Sequence, residues 1–411
     1  MKKIVLITDF TPTIDNINGP SALCYYIFKA LAKEHEVYIY STNANKVNGK
    51  MLKSSKETFG DKLYIIPRNI IMKVLLWGKT AKLFRYFYPT DLPTLGRYKL
   101  PSYVVKDIYK INPDLVVLYP MTMLGPLKQL KKFKSLVIGP DCFALHYIRA
   151  LSNPCYYKDE KISYALKSIK QNIYLAKKIT KFAHKVALVG REDCSLFNTI
   201  TNSKKAMFLP HPHYTLFEKT INLHKERLKV IVTGNYNEYT DVDVDLMVTS
   251  FIDNSSDLKM FDFTFLGKSW GCVVDKLKAY LAVEHKTWVD DYVEELSNYD
   301  IQIFPISLGS GTKGKVLDAA STGLLCIGSY IAFENIALRP SESCIWYKKA
   351  SEIPQLLKEV VEDKGKYQAY AIRARNNVRK YHNVNLAVNQ IEALLFDEDS
   401  TIDDSVYFSS M

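Results

Sequence analysis

Short apolar runs rich in β-branched residues alternate with helical patterns along most of this sequence. The first run, Lys3–Thr8, is followed by a loop of Asp, Pro, Asn and Gly, and then by a helical pattern that opens at Gly19-Pro20. Runs of this kind predict buried parallel strands, and their alternation with helices predicts a doubly wound α/β sheet. The later runs of this first series are Glu36–Tyr40, Leu63–Ile66, Leu115–Leu118, Leu136–Ile138 and Val186–Val189.

The alternation stops near the middle of the chain and then starts again. Residues 210–227 contain Pro210-His211-Pro212-His213 and mixed charges, a composition typical of a linker, and a new strand pattern begins at Lys229–Gly234. A chain of 411 residues is long enough for two domains. We therefore expect two Rossmann-like α/β domains, 1–215 and 216–381. The C-terminal helix and acidic tail, 382–411, are expected to pack back on the first domain.

Cysteine usage and hydropathy indicate the compartment. The seven cysteines are odd in number and include no Cys-x-x-Cys pair, which disfavours a disulfide framework and a zinc knuckle. The apolar run near the N-terminus is too short for a signal peptide, and the stretch Ile70–Trp77 is well below the roughly 20 residues of a membrane-spanning helix. We expect a cytoplasmic protein.

A glycine- and lysine-rich stretch separates a strand pattern from a helix pattern in the second half. The strand is Ile301–Pro305, and Gly309-Ser310-Gly311-Thr312 precede a helix that starts near Lys313. Ligands of open α/β sheets bind at the carboxyl ends of strands, where glycines let backbone N–H groups face an anion beside a helix N-terminus. Lys313 and Lys315 would add charge for a diphosphate. A carboxylate at Asp318, about one and a half helical turns further on, could accept hydrogen bonds from ribose hydroxyls.

The same stretch has two other interpretations. It can be an ordinary strand-to-helix turn with solvated lysines and an Asp on the helix surface. The spacing Gly309-x4-Gly314-Lys315 also fits a nucleotide-binding P-loop. However, Val316 stands where a Ser or Thr should hold magnesium, so a P-loop is disfavoured.

From Tyr299 to Gly328 the sequence resembles the donor-site segment of family-four-like GT-B glycosyltransferases. Those enzymes typically have a strand, a proline, G-x-G-x-K-x-K-hydrophobic-L-E-A, and then a glycine and another strand. The resemblance implies two Rossmann-like domains facing a central cleft, with C-terminal helices that cross back to the first domain. It implies transfer of a sugar from a nucleotide-diphosphate donor to a glycan or lipid-linked acceptor in polysaccharide or glycoconjugate synthesis, with retention and without a metal or other cofactor.

The resemblance also implies roles for particular residues. Asp141 stands where relatives keep a catalytic-cleft His or Asp, and Gly19-Pro20 resembles their glycine loop near the acceptor and the donor phosphate. Lys315 would stabilise charge on the leaving diphosphate, so Asp141 and Lys315 are the expected catalytic residues. Many retaining relatives carry E-x7-E. The corresponding positions here are Ser310 and Asp318, so the role of the first acid stays unassigned. The expected donor-binding residues are Gly234, Asn235, Val289, Gly309, Ser310, Gly311, Thr312, Lys313, Lys315 and Asp318.

Two patterns resemble metal ligands, and we interpret both as structural. Asp241-x-Asp243-x-Asp245 falls at a predicted helix start, where carboxylates interact favourably with the helix dipole. His211 and His213 have no third ligand at suitable spacing. No metal site is expected.

The formal charge of +12 calls for an acidic partner. Segments 68–110 and 161–185 are rich in lysine, and aromatic residues are interleaved in the first. Two interpretations stay open for them: peripheral contact with anionic lipid, or solvated basic faces. Nucleic-acid binding is disfavoured because no recognition motif accompanies the charge. A nucleotide-sugar 2-epimerase of related architecture is the alternative enzyme, although the acids and histidines that it needs cannot be placed in this sequence.

Overall fold

The computed structural model describes residues 1–14, 19–67, 98–152, 159–213, 217, 219–237, 240–399 and 402–409. The chain forms two compact units. The first comprises Met1–Leu209 with Val384–Ile402, and the second comprises Pro210–Asn383 with Asp403–Met411. No helix within these described ranges is long and apolar enough to cross a membrane.

The first unit is built on a parallel sheet of seven strands in the order β3-β2-β1-β4-β5-β6-β7. Its strands are β1 (Lys3–Thr8), β2 (Glu36–Ser41), β3 (Leu63–Ile65), β4 (Leu115–Tyr119), β5 (Ser135–Gly139), β6 (Lys185–Leu188) and β7 (Ala206–Phe208). Its helices are α1 (Gly19–Leu31), α2 (Gly49–Phe59), α3 (Ser102–Ile111), α4 (Leu124–Gln129), α5 (Phe143–Leu151), α6 (Asp159–Phe182) and α7 (Arg191–Thr201).

Strand β1 shows why the apolar runs are continuous rather than alternating. Val5 and Ile7 belong to the core on one face of the sheet, and Ile4 and Leu6 belong to the core on the other face. A parallel strand covered by helices on both faces has to be apolar at every position. The first unit is therefore a doubly wound Rossmann-like sheet, as the sequence predicts.

The second unit repeats this topology with six parallel strands in the order β10-β9-β8-β11-β12-β13. Its strands are β8 (Leu228–Thr233), β9 (Phe261–Leu266), β10 (Val283–Lys286), β11 (Ile301–Phe304), β12 (Leu325–Ser329) and β13 (Ile345–Tyr347). Its helices are α8 (Asp241–Asp253), α9 (Gly271–Leu277), α10 (Tyr292–Leu296), α11 (Gly314–Thr322), α12 (Tyr330–Phe333), α13 (Ile353–Glu362) and α14 (Lys364–Tyr381). The strand order reverses between β8 and β11, which makes their carboxyl ends the topological switch point.

The division between the units falls after Leu209, ahead of the boundary at 215 that the sequence suggests. The chain that follows β7 hydrogen-bonds to the second unit. His382 Nδ1 lies 2.8 Å from the carbonyl oxygen of His211, and the N–H of His213 donates to the carbonyl of His382 at 2.8 Å. Part of the expected linker therefore belongs to the second unit.

The last helix, α15 (Val384–Phe396), returns to the first unit. Ile391 and Leu395 are buried in the same core as Leu23 and Ile27 of α1. The chain then goes back to the second unit, where Phe408 exchanges backbone hydrogen bonds with Asn335 and Ile336, both 2.9 Å long. The described end of the C-terminal tail is thus held to the second unit by backbone hydrogen bonds.

Candidate functional site

The glycine- and lysine-rich stretch lies at the switch point of the second unit. β8 ends at Thr233 and turns at Gly234, while the neighbouring strand β11 leads into residues 305–313 and then into α11. We call Gly234, residues 309–313, Lys315 and Asp318 the glycine-lysine site.

Glycine is required where β8 and β9 end. Gly234 has φ of 102° and Gly267 has φ of 135°, which is backbone geometry that other residues rarely adopt. A Cβ on Gly267 would lie 2.2 Å from the carbonyl oxygen of Gly234, and a Cβ on Gly234 would lie 3.1 Å from Lys315 Nζ. The two turns therefore pack backbone to backbone. The indole N–H of Trp270 fixes this arrangement by donating to the Gly234 carbonyl at 2.6 Å.

Lys315 reaches back from the first turn of α11 to the end of β8. Its Nζ donates to the carbonyl of Thr233 at 3.1 Å, beside the Gly234 turn. Burial, and to a lesser degree the nearby charge of Lys313, lowers the pKa of the Lys315 amino group to about 8. Lys315 is half-buried and forms no ion pair with a described carboxylate, so its ammonium charge is only partly stabilised.

Lys313 folds over the loop that precedes it. Its Nζ donates to the carbonyls of Ser310 and Gly311 at 3.1 and 2.9 Å. A Cβ on Gly309 would lie 3.0 Å from Lys313 Cε, so the absence of a side chain there lets the lysine lie flat. Gly311 has φ of 62°, which makes the turn between the two carbonyls.

Asp318 lies one turn beyond Lys315 on the same side of α11. Its carboxylate forms no ion pair or hydrogen bond with another described residue. Burial raises the pKa of this carboxyl group to about 7. The glycine-lysine site thus holds a cation and an acid that each sit in surroundings unfavourable to their charged forms.

A buried polar cluster lies close enough to Asp318 to feel its charge. The Tyr292 hydroxyl is 3.0 Å from Thr233 Oγ1, and Gln302 Nε2 donates to Thr233 Oγ1 at 2.7 Å. Burial raises the pKa of Tyr292, and the charge of Asp318 raises it further. Gln302 Oε1 is buried without a hydrogen-bond partner among the described residues. This cluster joins β8, α10 and β11.

Val289 and Asn235 occupy the neighbouring loops. Val289 is half-buried and packs against the core that contains Leu296 and Val316, just before α10. Asn235 Oδ1 accepts the N–H of Lys268 at 3.0 Å, which fastens the β8 turn to the β9 turn. In this structure Asn235 therefore has a role in shaping the turns.

Three residues that the sequence predicts for the site, Gly19, Pro20 and Asp141, lie in the first unit. Gly19 and Pro20 open α1, and the residues just before them lie outside the described ranges. Asp141 is half-buried and follows β5, and the next N–H, of Cys142, donates to the Asp193 carboxylate at 2.6 Å. The sequence places these three residues in the first unit, and the donor-binding set in the second.

The two metal-like patterns have other partners. Asp243 accepts a hydrogen bond from the Tyr347 hydroxyl at 2.8 Å, and Asp241 lies in the first turn of α8. Burial lowers the pKa of His211 to about 4 and that of His382 to about 3. No group of three or more His, Cys, Asp or Glu that could hold a metal ion is present in the part of the chain that the structure describes.

Sequence patterns did not indicate Thr233, Gly267, Tyr292 or Gln302. Gly267 carried a usable signal, because a glycine directly after the strand Phe263–Leu266 resembles Gly234 after β8. Thr233 and Gln302 are polar residues within apolar strands, and Tyr292 begins a short helix. Only their hydrogen bonds at Thr233 Oγ1 show that the three side chains meet.

Comparisons with known proteins agree with this architecture. A family model described as glycosyl transferase-like matches residues 249–393. A search of curated proteins finds no match. Sucrose-phosphate synthase from Thermosynechococcus elongatus is similar over 97% of this chain and 99% of its own, with a TM-score of 0.67 at 14% identity.

Two further solved structures are similar over nearly their full length. A glycosyltransferase from Rickettsia africae covers 96% of this chain and 98% of its own, with a TM-score of 0.63 at 12% identity. HepE from Anabaena, in complex with UDP-glucose, covers 97% of this chain and 100% of its own, with a TM-score of 0.60 at 12% identity. At identities this low, the structural similarity establishes the fold alone. None of these matches supports the epimerase alternative. Taken together, both units have the fold of GT-B glycosyltransferases, and residues 249–393 are similar to a glycosyl transferase-like family.

Proposed function

We propose that this enzyme transfers a sugar from a nucleotide-diphosphate donor to a glycan or lipid-linked acceptor, and that the glycine-lysine site binds the donor. The observation that carries the proposal is the pair Lys315 and Asp318. Each has surroundings that disfavour its charged form. A diphosphate would stabilise the Lys315 ammonium, and ribose hydroxyls would donate to the Asp318 carboxylate. One ligand would therefore satisfy both groups.

The remaining donor contacts follow from the positions of the loops. Backbone N–H groups of residues 309–312 and the N-terminus of α11 would hold the phosphates. Gly234 leaves room for the donor beside β8, and Val289 would border the base. Lys313 would stabilise the loop through its carbonyl contacts, and would bind a phosphate less directly than Lys315 does.

The chemistry that we propose depends on charge stabilisation. As the bond between the anomeric carbon and the diphosphate breaks, negative charge develops on the leaving oxygen, which Lys315 would stabilise. The lysines and the helix N-terminus supply this positive charge, so we propose transfer without a metal, and with retention as in the relatives that the sequence resembles. Asp141 and the Gly19-Pro20 turn would serve the acceptor side. Ser310 receives no role as an acid.

The nucleotide is the first point to test. We expect UDP, CDP or GDP to bind the purified enzyme in calorimetry equally well with and without EDTA. UDP is tried first because HepE is described in complex with UDP-glucose, and TarM from S. aureus in complex with UDP.

Matched variants test the assignment of the site. Lys315→Met and Asp318→Asn should each weaken donor binding about tenfold or more, because each removes a contact to a charged or hydroxyl group of the donor. The controls are Lys276→Met and Asp253→Asn, which change exposed residues of the same unit. Unchanged affinity in both site variants would refute the assignment.

The transfer itself is tested with a labelled nucleotide sugar. Appearance of an epimer in the absence of acceptor would refute transfer in favour of the epimerase. Binding to duplex DNA at physiological salt, without affinity for nucleotide diphosphates, would favour the nucleic-acid alternative.

We also propose peripheral contact with anionic lipid at the inner face of the membrane, in line with a lipid-linked acceptor. Most of the first basic segment, 68–110, lies outside the described ranges, because residues 68–97 are not described. The second segment, 161–185, includes most of α6. Tyr164 and Leu166 of this helix are 60% and 55% exposed, and four lysines are exposed along it: Lys167, Lys170, Lys177 and Lys181. Sedimentation with phosphatidylglycerol vesicles should exceed that with phosphatidylcholine vesicles, and should fall when these lysines are replaced by glutamine.

A further inference from the structure

A cavity of about 690 Å³ lies at the edge of the sheet in the first unit. It is bordered by β2, β3, α2 and α3, and no residue expected to take part in sugar transfer lines it. Its volume falls within the roughly 300–1,000 Å³ of small-molecule sites. Its described lining includes three tyrosines, three lysines and one carboxylate: Tyr40, Tyr64, Tyr103, Lys56, Lys106, Lys110 and Asp107.

Two tyrosines form a fixed aromatic platform in this cavity. Tyr40 and Tyr64 are paired across the parallel strands β2 and β3, and their rings stack with centroids 4.9 Å apart and planes 14° apart. The Tyr40 ring is buried, and its hydroxyl donates a short hydrogen bond to the Asp107 carboxylate, so the lower ring is anchored. Tyr64 is 40% exposed and is held in place from below. The cavity therefore presents an aromatic ring that loses little conformational entropy when it binds a ligand.

The charge of the cavity is positive. Lys106 and Lys110 are one turn apart on α3, and Lys56 lines the cavity from α2. None of these three lysines forms an ion pair with another residue in the described part of the chain. Like charges four residues apart on a helix repel each other. An anionic ligand would relieve that repulsion, and the only carboxylate among the described lining residues, Asp107, already accepts the Tyr40 hydroxyl.

We propose that this cavity is a saccharide subsite, which binds an acidic sugar unit of the acceptor glycan. The proposal deepens the proposed function and rests on it. The C–H face of a pyranose ring would pack on Tyr64, and on Tyr103, which is 57% exposed on α3. A sugar hydroxyl would donate to the second oxygen of Asp107, and the acid group would pair with Lys106 and Lys110. The ligand thus has an apolar face, hydroxyl donors and a negative charge, which match the three kinds of group in the lining.

A nucleotide is the competing ligand, since its base could also stack on Tyr64. A nucleotide carries its ribose hydroxyls and its diphosphate on separate parts of the molecule, whereas a sugar acid carries several hydroxyls and one carboxylate on a single ring. That compact arrangement matches Lys106, Asp107 and Lys110, which lie within about one turn of α3. The lining therefore favours the acidic sugar, and the nucleotide becomes an outcome of the test.

The test is calorimetry of the full chain with tetragalacturonate as the acidic probe and maltotetraose as its neutral counterpart, both in saturating UDP. We expect tetragalacturonate to bind and maltotetraose to bind at least about tenfold more weakly. Tyr64→Ala and the double variant Lys106→Ala/Lys110→Ala should each weaken tetragalacturonate binding about tenfold or more, while Tyr64→Phe keeps it. Lys53→Ala, an exposed lysine of α2 outside the cavity, is the matched control and should have no effect.

Three results would overturn the subsite. They are equal binding of the neutral and acidic probes, wild-type affinity in both Tyr64→Ala and the double lysine variant, and a second UDP equivalent that Tyr64→Ala abolishes. Because UDP binding is measured in the same samples, absence of tetragalacturonate binding with intact UDP binding refutes the subsite alone. Absence of binding of UDP, CDP and GDP alike to the wild type refutes the proposed function instead.

Discussion

Binding of a nucleotide sugar should depend on pH with a maximum between pH 7 and 8. The donor is proposed to bind the ionised Asp318 carboxylate and the protonated Lys315 amino group, whose pKa values are about 7 and about 8. At pH 6 about one Asp318 in eleven is ionised, and at pH 9 about one Lys315 in eleven is protonated. At pH 7.5 each group is in the binding form in about three molecules of four.

The expected change in affinity follows from the product of these fractions. Slightly more than half of the molecules have both groups in the binding form at pH 7.5, against about one in eleven at pH 6 and at pH 9. The dissociation constant should therefore rise about sixfold, or about 1 kcal/mol, on either side of the maximum. A nucleotide sugar is the right ligand for the assay because its diphosphate is a diester and has no ionisation of its own in this range.

The variants separate the two limbs of this profile. Calorimetry from pH 6 to pH 9 should show that Asp318→Asn removes the fall in affinity at low pH, and that Lys315→Met removes the fall at high pH. Asp253→Asn and Lys276→Met should keep both limbs. A flat profile in the wild type, or a low-pH limb that survives in Asp318→Asn, would contradict the assignment of these two groups to donor binding.

Three further predictions concern stability. The pKa of Asp318 is about 7 in the folded chain against an ordinary value of 3.8. Ionisation of Asp318 therefore costs the folded state no stability below pH 3.8, and lowers the free energy of unfolding as the pH rises to 7 and above. Asp318→Asn should raise the melting temperature more at pH 8 than at pH 4, and an equal rise at both pH values would contradict the raised pKa. Gly267→Ala should cost about 2–4 kcal/mol in urea unfolding, because its Cβ would meet the Gly234 carbonyl at a positive φ, whereas Gly271→Ala, whose Cβ meets nothing within 4 Å, should cost less than about 1 kcal/mol. Ile391→Ala in α15 should lower the free energy of unfolding of the first unit by about 2–5 kcal/mol, and a change below about 1 kcal/mol would contradict the burial of this helix there.

The sequence alone predicts the two α/β sheets and the position of the glycine- and lysine-rich loop at the end of a strand. The reason is local: continuous apolar runs occur only in strands covered on both faces, and Gly309 to Lys315 connect such a strand to a helix. The restart of the pattern at Lys229 marks the second sheet for the same reason.

The tertiary structure decided what surrounds the functional groups. Thr233 and Gln302 meet although 69 residues separate them in the chain. Gly267 is required because a second turn touches its backbone, and α15 returns to the first unit because its buried face matches α1. Above all, sequence spacing places Lys315 and Asp318 on one face of a helix, but only packing takes them partly out of the solvent. That loss of solvent shifts both pKa values toward neutrality, and no local pattern in the sequence encodes it.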